Sequence, residues 1–209
     1  MAQQIQGQVG NVGSYPSGYG DGTQPVPRMG RSGELIVQDA HGRYQEAVYR
    51  GHVFTACTQT VVTWGTALTG TCVTIALVNP AGSGVNLAIL KCRATVVTST
   101  TAGSLVYGIC NTPLQAAVTY TTKLTATNCL VGSLNAAAGI PATSCALPAA
   151  PVAVGAFAFG PVTATASTGN IVDDVGGEFI LAPNTAFTIQ GITIVGTGLL
   201  SITWEEIPL

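Results

Sequence analysis

From about residue 53 to the end of the chain, apolar side chains recur at every second position in short runs. Successive side chains of extended backbone point to opposite faces, so this period of two predicts strands with one buried face. "TCVTIALV" (71–78) alternates cleanly, with Val73, Ile75 and Leu77 on one face and Cys72, Thr74 and Ala76 on the other. "VNLAILKCRATVV" and "SLVYGIC" flank the turn-rich "TSTTAG", which predicts a hairpin. "GEFILAP", "TAFTIQGITIV" and "LLSITWEEI" predict three more strands near the carboxyl end. In the second of these the apolar phase passes from Phe187 and Ile189 to Ile192 and Ile194 at Gly191, as a β-bulge would produce. In the last, Leu200, Ile202 and Trp204 are expected to face the core. No segment carries the 3.6-residue period of an amphipathic helix. Short β-branched strands separated by Gly, Pro and Thr turns predict an all-β domain over 51–209, a β-sandwich of jelly-roll type. Residues 132–161 are rich in Ala, Pro and Gly and fit neither strand nor helix; a long apolar surface excursion covered by an oligomer contact is expected there.

Residues 1–33 differ in kind. They are rich in Gly, Gln, Ser and Pro, carry no period, and bury too little apolar surface to offset their own ordering entropy. An extended, non-regular N-terminal arm lying on a neighbouring subunit is the expectation, with 1–50 as arm and link. No window holds the 18 to 20 unbroken apolar residues of a membrane span. The amino terminus has neither the basic nor the apolar region of an export signal, so synthesis in the cytosol of the producing cell is expected.

Charge sharpens the picture. Only 8% of the 209 residues are charged, and from Ala94 to Val172 the one charged residue is Lys123. An average soluble protein carries about 25%. A surface this poor in ions must be made of Thr, Ser, Asn and Gly, or be covered by partners. The net charge of −2 excludes the dense Lys/Arg stripe that binding to nucleic acid requires.

Chemistry concentrates in "ELIVQDAHGRYQEAVYRGHVF" (34–54), which holds both histidines, His41 and His52. Asp39 and His41 stand two residues apart, but no Ser or Cys elbow accompanies them, and a triad is assembled from distant segments. "DDVGGE", with Asp173, Asp174 and Glu178, lacks the oxygen spacing of a calcium loop and reads as a solvated turn before a strand. Glu205 and Glu206 are adjacent on a strand and face opposite sides, so they are not a glycosidase pair. No phosphate loop precedes a helix. Six cysteines show no C-x-x-C and no zinc spacing, and read as buried small hydrophobes. If "TSTTAG" centres a hairpin, Cys92 and Cys110 fall opposite one another and form a candidate disulfide; spacing alone leaves their bonding open. No enzymatic activity, metal or cofactor is expected.

Arg28, Arg31, Arg43 and Arg50 are four of the seven basic residues. Tyr15, Tyr19, Tyr44 and Tyr49 lie in or beside the same segment. Arg and Tyr are the side chains enriched at binding hot spots, and Arg pairs carboxylates through two parallel hydrogen bonds. These eight residues are the candidate partner contacts, and the stretch reads as a grip.

"GELIVQDAHGRYQEAVYRGHVF", leading into a Thr/Ala-rich β domain, and the ending "LLSITWEEIPL" resemble a group of tailed-bacteriophage virion proteins. The resemblance covers the link and the carboxyl end. It implies a non-enzymatic structural component on or near the capsid. With the charge deficit and the arm, it leads to the expectation of a capsid decoration protein on the virion surface. Its partners are then the major capsid protein and further copies of itself, as a dimer or trimer. The alternative expectation is a head-fibre or tail-tip module that binds a host-surface glycan, and such sites expose aromatic rings for sugar stacking.

Overall fold

The structure, a computed structural model, describes residues 42–99, 102–110, 118–159, 169–193 and 196–209. The expected arm, with Tyr15, Tyr19, Arg28 and Arg31, lies outside these residues, as do Asp39 and His41. The compact β unit runs from Tyr44 to Leu209.

It opens with a short helix, α1 (Gln45–Tyr49). Gly51 stops that helix: at φ 71° it takes the left-handed conformation that a Cβ disfavours. Its N–H donates to the Val48 carbonyl at 2.8 Å, and His52 N–H donates to Ala47 at 3.1 Å. This is the doubled C-terminal bonding of a Schellman motif. Among the described residues fourteen strands follow: β1 (Val53–Cys57), β2 (Val62–Thr63), β3 (Thr71–Cys72), β4 (Ile75–Asn79), β5 (Val85–Ser99), β6 (Gly103–Cys110) and β7 (Thr119–Lys123); then β8 (Thr127–Asn128), β9 (Ile140–Ala146), β10 (Val152–Phe159), β11 (Gly169–Asp173), β12 (Ile180–Leu181), β13 (Thr185–Ile192) and β14 (Gly196–Pro208).

All pairings are antiparallel, and they make two sheets. The first runs β11-β5-β14-β1-β8, with β12 also on β5 and β2 also on β14. The second runs β10-β6-β13-β4-β9-β3, with β7 on the far side of β9. Stripped of the short strands and of the insertion β7–β9, the sheets read β1-β14-β5-β11 and β4-β13-β6-β10. The chain crosses from one to the other at every step except β6 to β10, which pair within the second sheet, and β1 pairs with β14. That is the double Greek key of a jelly roll, as the strand pattern led us to expect.

Large side chains from both inner faces meet in one core that includes Trp64, Ile75, Leu77, Leu87, Ile89, Phe187, Ile189 and Trp204. Leu200, Ile202 and Trp204 are buried as their alternation predicts. Phe54 and Trp204 stack with ring centroids 6.0 Å apart. Each such side chain contributes about 1.5–3 kcal/mol through removal of apolar area from water. Glu206, next to this core, is buried too. Its carboxylate accepts from Ala138 N and Gly139 N, each at 2.9 Å, and from Trp204 Nε1 at 3.2 Å.

Four expectations change. The hairpin between β5 and β6 does not form, because the chain crosses from one sheet to the other between them. Cys92 and Cys110 therefore do not face each other. Cys92 points into the inter-sheet core and Cys110 belongs to a second cluster, and both are free thiols. The bulge predicted at Gly191 is also not there: β13 pairs β6 without a slip from Ala186 through Ile192. The positive φ of 55° falls at Thr193, just past the strand, and Ile194 lies outside the described residues. Residues 132–161 are not a surface excursion, since they contain β9 and β10, both in the second sheet. Pairing with β4 and β6 overrides the weak strand preference of Ala and Pro. Finally Val73, expected inside with Ile75 and Leu77, sits in the bend between β3 and β4 and is exposed.

Candidate functional site

Among the described residues one side of the sandwich is open. β10 ends the second sheet and β11 ends the first, and a cleft of about 440 Å³ lies between them. Its walls are Val154, Ala156 and Phe157 from β10 and Ile171, Val172 and Asp173 from β11. Tyr107 of β6 reaches it from the interior. The Tyr107 ring packs edge-on against Phe157 and lies tilted against Phe187, with centroids 5.3 Å apart in both pairs. Its hydroxyl donates to Asp173 Oδ2 at 2.7 Å. Gly155 is what lets the ring come so close, because a Cβ there would stand 3.1 Å from Tyr107 Cδ2.

Burial sets the protonation of this wall. It pushes the Cys92 thiol up to about 12, and the Asp173 carboxylate, Cys92's partner across the β11–β5 ladder, adds to the rise. Burial, then the neighbouring Cys92, pushes the Tyr107 phenol well above its ordinary value. At neutral pH both are protonated donors, so neither supplies a nucleophile or a base. The rim is acidic, formed by Asp174 and Glu178 beside Asp173. Asp174 Oδ1 accepts from the Tyr44 hydroxyl at 2.9 Å.

β10 itself is the second half of the site. Its sequence, "VAVGAFAF", carries no charge, and Val152 and Val154 are 61% and 41% exposed. The register skips Val154, the extra residue of a bulge between Ala153 and Gly155. Among the described residues β10 pairs only with β6, so its outer backbone edge is open to another strand.

Of the residues singled out in the sequence, the structure brings Tyr44 to the cleft. Tyr49 and Arg50 are exposed on α1, where Arg50 Nε pairs Glu46 Oε1 at 3.0 Å, and Arg43 is exposed just before the helix. His52 contributes its carbonyl, which accepts from Glu206 N at 2.8 Å. Asp174 and Glu178 stand in the turn before a strand that was expected of them, whereas Asp173 is the last residue of β11, and Asp173 and Asp174 each accept from a tyrosine hydroxyl. Among the described residues no three His, Cys, Asp or Glu side chains gather where they could hold a metal. Tyr107 and β10 were missed. The signal for β10 was present: eight uncharged residues with bulky groups at Val152, Val154, Phe157 and Phe159.

Compared with known proteins, the chain matches no family model and no curated protein.

Proposed function

We propose that this chain is a non-enzymatic structural protein of a tailed-bacteriophage virion. In this reading it decorates and stabilises the capsid surface as an oligomer and is anchored there by its N-terminal arm. The observation that carries the reading is the open edge of β10, apolar, uncharged and unpaired among the described residues. Monomeric β proteins blunt such edges with lysines, prolines, bulges, charges pointing inward or a covering loop, and of these β10 carries within its own span only the bulge at Val154. An edge without a charge suits a surface that becomes interior on assembly. Two β10 strands related by a two-fold axis would continue the second sheet from one copy to the next, with no like charges opposed. The major capsid protein is the partner for the arm and for the Tyr49 and Arg50 face of α1.

Sedimentation velocity on the full chain, with and without Val152→Lys, tests the contact between copies. The wild-type protein is expected to sediment as a closed oligomer. The lysine, on an exposed site of the edge, is expected to shift it at least tenfold toward monomer without loss of fold. Adding the same proteins to undecorated capsids reads the second half: wild type binds in hundreds of copies per particle, and protein lacking residues 1–33 does not. A wild-type chain that stays monomeric at tens of micromolar and leaves capsids bare would sink the proposal.

A second reading has its own support in the acid-rimmed cleft, where half-buried Phe157 offers a ring and Asp174 and Glu178 offer acceptors for sugar hydroxyls. It makes the chain a head-fibre or tail-tip module for a host-surface glycan. Both tryptophans are buried, Trp64 at 2% and Trp204 at 0% exposure, which removes the best stacking platforms. Copy number separates the two readings, since a receptor binder is present in tens per particle or fewer.

A further inference from the structure

The second sheet carries a small apolar cluster separate from the inter-sheet core. It comprises Cys72, Ala76, Val78, Cys110, Ala142, Cys145, Leu147 and Ala186. Three thiols in one cluster raise the question of which of them can meet. Cys110 lies on β6, and both β13 and β4 intervene before β9 is reached. Cys72 and Cys145, by contrast, are direct partners in the β3–β9 ladder. Directly opposed residues of an antiparallel pair have Cα atoms about 4.5–5.5 Å apart. Disulfides span Cα separations of about 4.4–6.8 Å, so the ladder already supplies the distance. The side chains also meet, since the Cys145 thiol hydrogen-bonds to the Cys72 sulfur. That bond draws the Cys72 thiol below its ordinary pKa against the opposing effect of burial, and it helps push Cys145 up. Thr74 Oγ1, 3.6 Å from the Cys72 sulfur, adds a second stabilising contact. Cys72 is thus the member of the pair prepared to react as thiolate.

We propose that Cys72 and Cys145 are a latent cross-strand disulfide, closed when the protein meets a low-molecular-weight disulfide such as oxidised glutathione. The Cys72 thiolate attacks one sulfur of the oxidant, whose S–S bond breaks and releases one glutathione thiolate, which takes up a proton. The Cys145 thiolate, its proton gone to solvent, then attacks the Cys72 sulfur of the mixed disulfide and releases the second glutathione. The protein gives up two protons and two electrons, and the oxidant becomes two thiols. Both cysteines are fully buried, so access requires β3 to lift, and β3 is only two residues long. The bond would convert that short pairing, now helped by Leu147 N donating to Gly70 at 2.7 Å, into a covalent clip. The inference is independent of where the protein resides.

The test uses the wild-type chain, purified reduced and incubated with oxidised glutathione. Its intact mass is measured, and it is then digested with trypsin and chymotrypsin, which separate Cys57 from Cys72 at Trp64 and Cys129 from Cys145 at Leu130. The expected result is a mass lower by two hydrogens, one cross-linked peptide joining Cys72 to Cys145, and a Tm raised by about 10 °C and restored by reductant. Cys72→Ala and Cys145→Ala are each expected to abolish the cross-link, and if either fails to fold the wild-type peptide map still decides. An unchanged mass, glutathione adducts alone or a cross-link between any other pair overturns the proposal.

Discussion

Two apolar clusters hold this sandwich, and they are built from different side chains. The one between the sheets uses Trp64, Trp204, Phe187 and a set of Ile and Leu; the one on the second sheet uses mainly Ala and Cys. The spacing of what they join explains this. Stacked sheets lie about 10 Å apart, and only large side chains from both faces fill that gap. On the other face of the second sheet, irregular chain lies almost directly on the backbone of the strands. A Cβ on Gly108 would stand 2.8 Å from Pro151 Cβ, 2.8 Å from Thr188 Oγ1 and 3.2 Å from Leu68 Cδ2. Gln190 bonds Thr69 at both ends of its backbone unit, holding the same segment down. The lesson is that Ala, Gly and Cys in this chain mark close covering as much as they mark surface.

That contrast can be broken in three places. Trp204→Ala removes the largest block of the inter-sheet filling and one of the donors to Glu206. A loss of about 4 kcal/mol in urea unfolding is expected, and a loss below about 1 kcal/mol would mean that the sheets close up freely. In the second cluster the damaging change runs the other way. Gly108→Ala adds a single methyl group and is expected to cost about 2 kcal/mol by overpacking; a neutral result would show that the covering segment is free to lift. The smallest effect is a pH dependence. Cys92 has a raised pKa in the fold, so its contribution to stability is whole below its ordinary value near 9.0 and is lost as pH climbs through about 12. Cys92→Ala is expected to flatten the alkaline limb of a stability curve between those values, and an unchanged limb would place the thiol outside the dry core.

Periodicity carried much of the fold. The alternation of Leu200, Ile202 and Trp204, and of Ile75 and Leu77, is a local consequence of extended backbone and is visible in any window that contains it. What periodicity does not encode is which sheet a strand joins. β5 and β6 are consecutive and separated by a short turn-rich link, the usual sign of a hairpin, yet they belong to opposite sheets. The misplaced pairing of Cys92 with Cys110 follows from that single ambiguity, and so does the missed contact of Cys92 with Tyr107. β9 and β10 were hidden for another reason. Their residues are small because they are closely covered or because they form an edge, and small residues resemble loop in one dimension. The cleft was the least legible part. Tyr107 meets Asp173 and Tyr44 meets Asp174 across 66 and 130 residues of chain, contacts that exist only once both sheets are in place.

β14 occupies the middle of the first sheet, flanked by β5 on one side and by β1 and β2 on the other. It also follows in sequence every strand that it pairs with, and Leu209 N donates to the Gly84 carbonyl at 3.0 Å. On the ribosome, β1 and β5 therefore wait with bare edges and an uncovered apolar face until the thirteen residues of β14 emerge. Pairings this remote in sequence make for slow folding and a vulnerable nascent chain. A premature stop shortly before Gly196 would remove the keystone and leave β5, with β11 and β12, unjoined to β1 and β8.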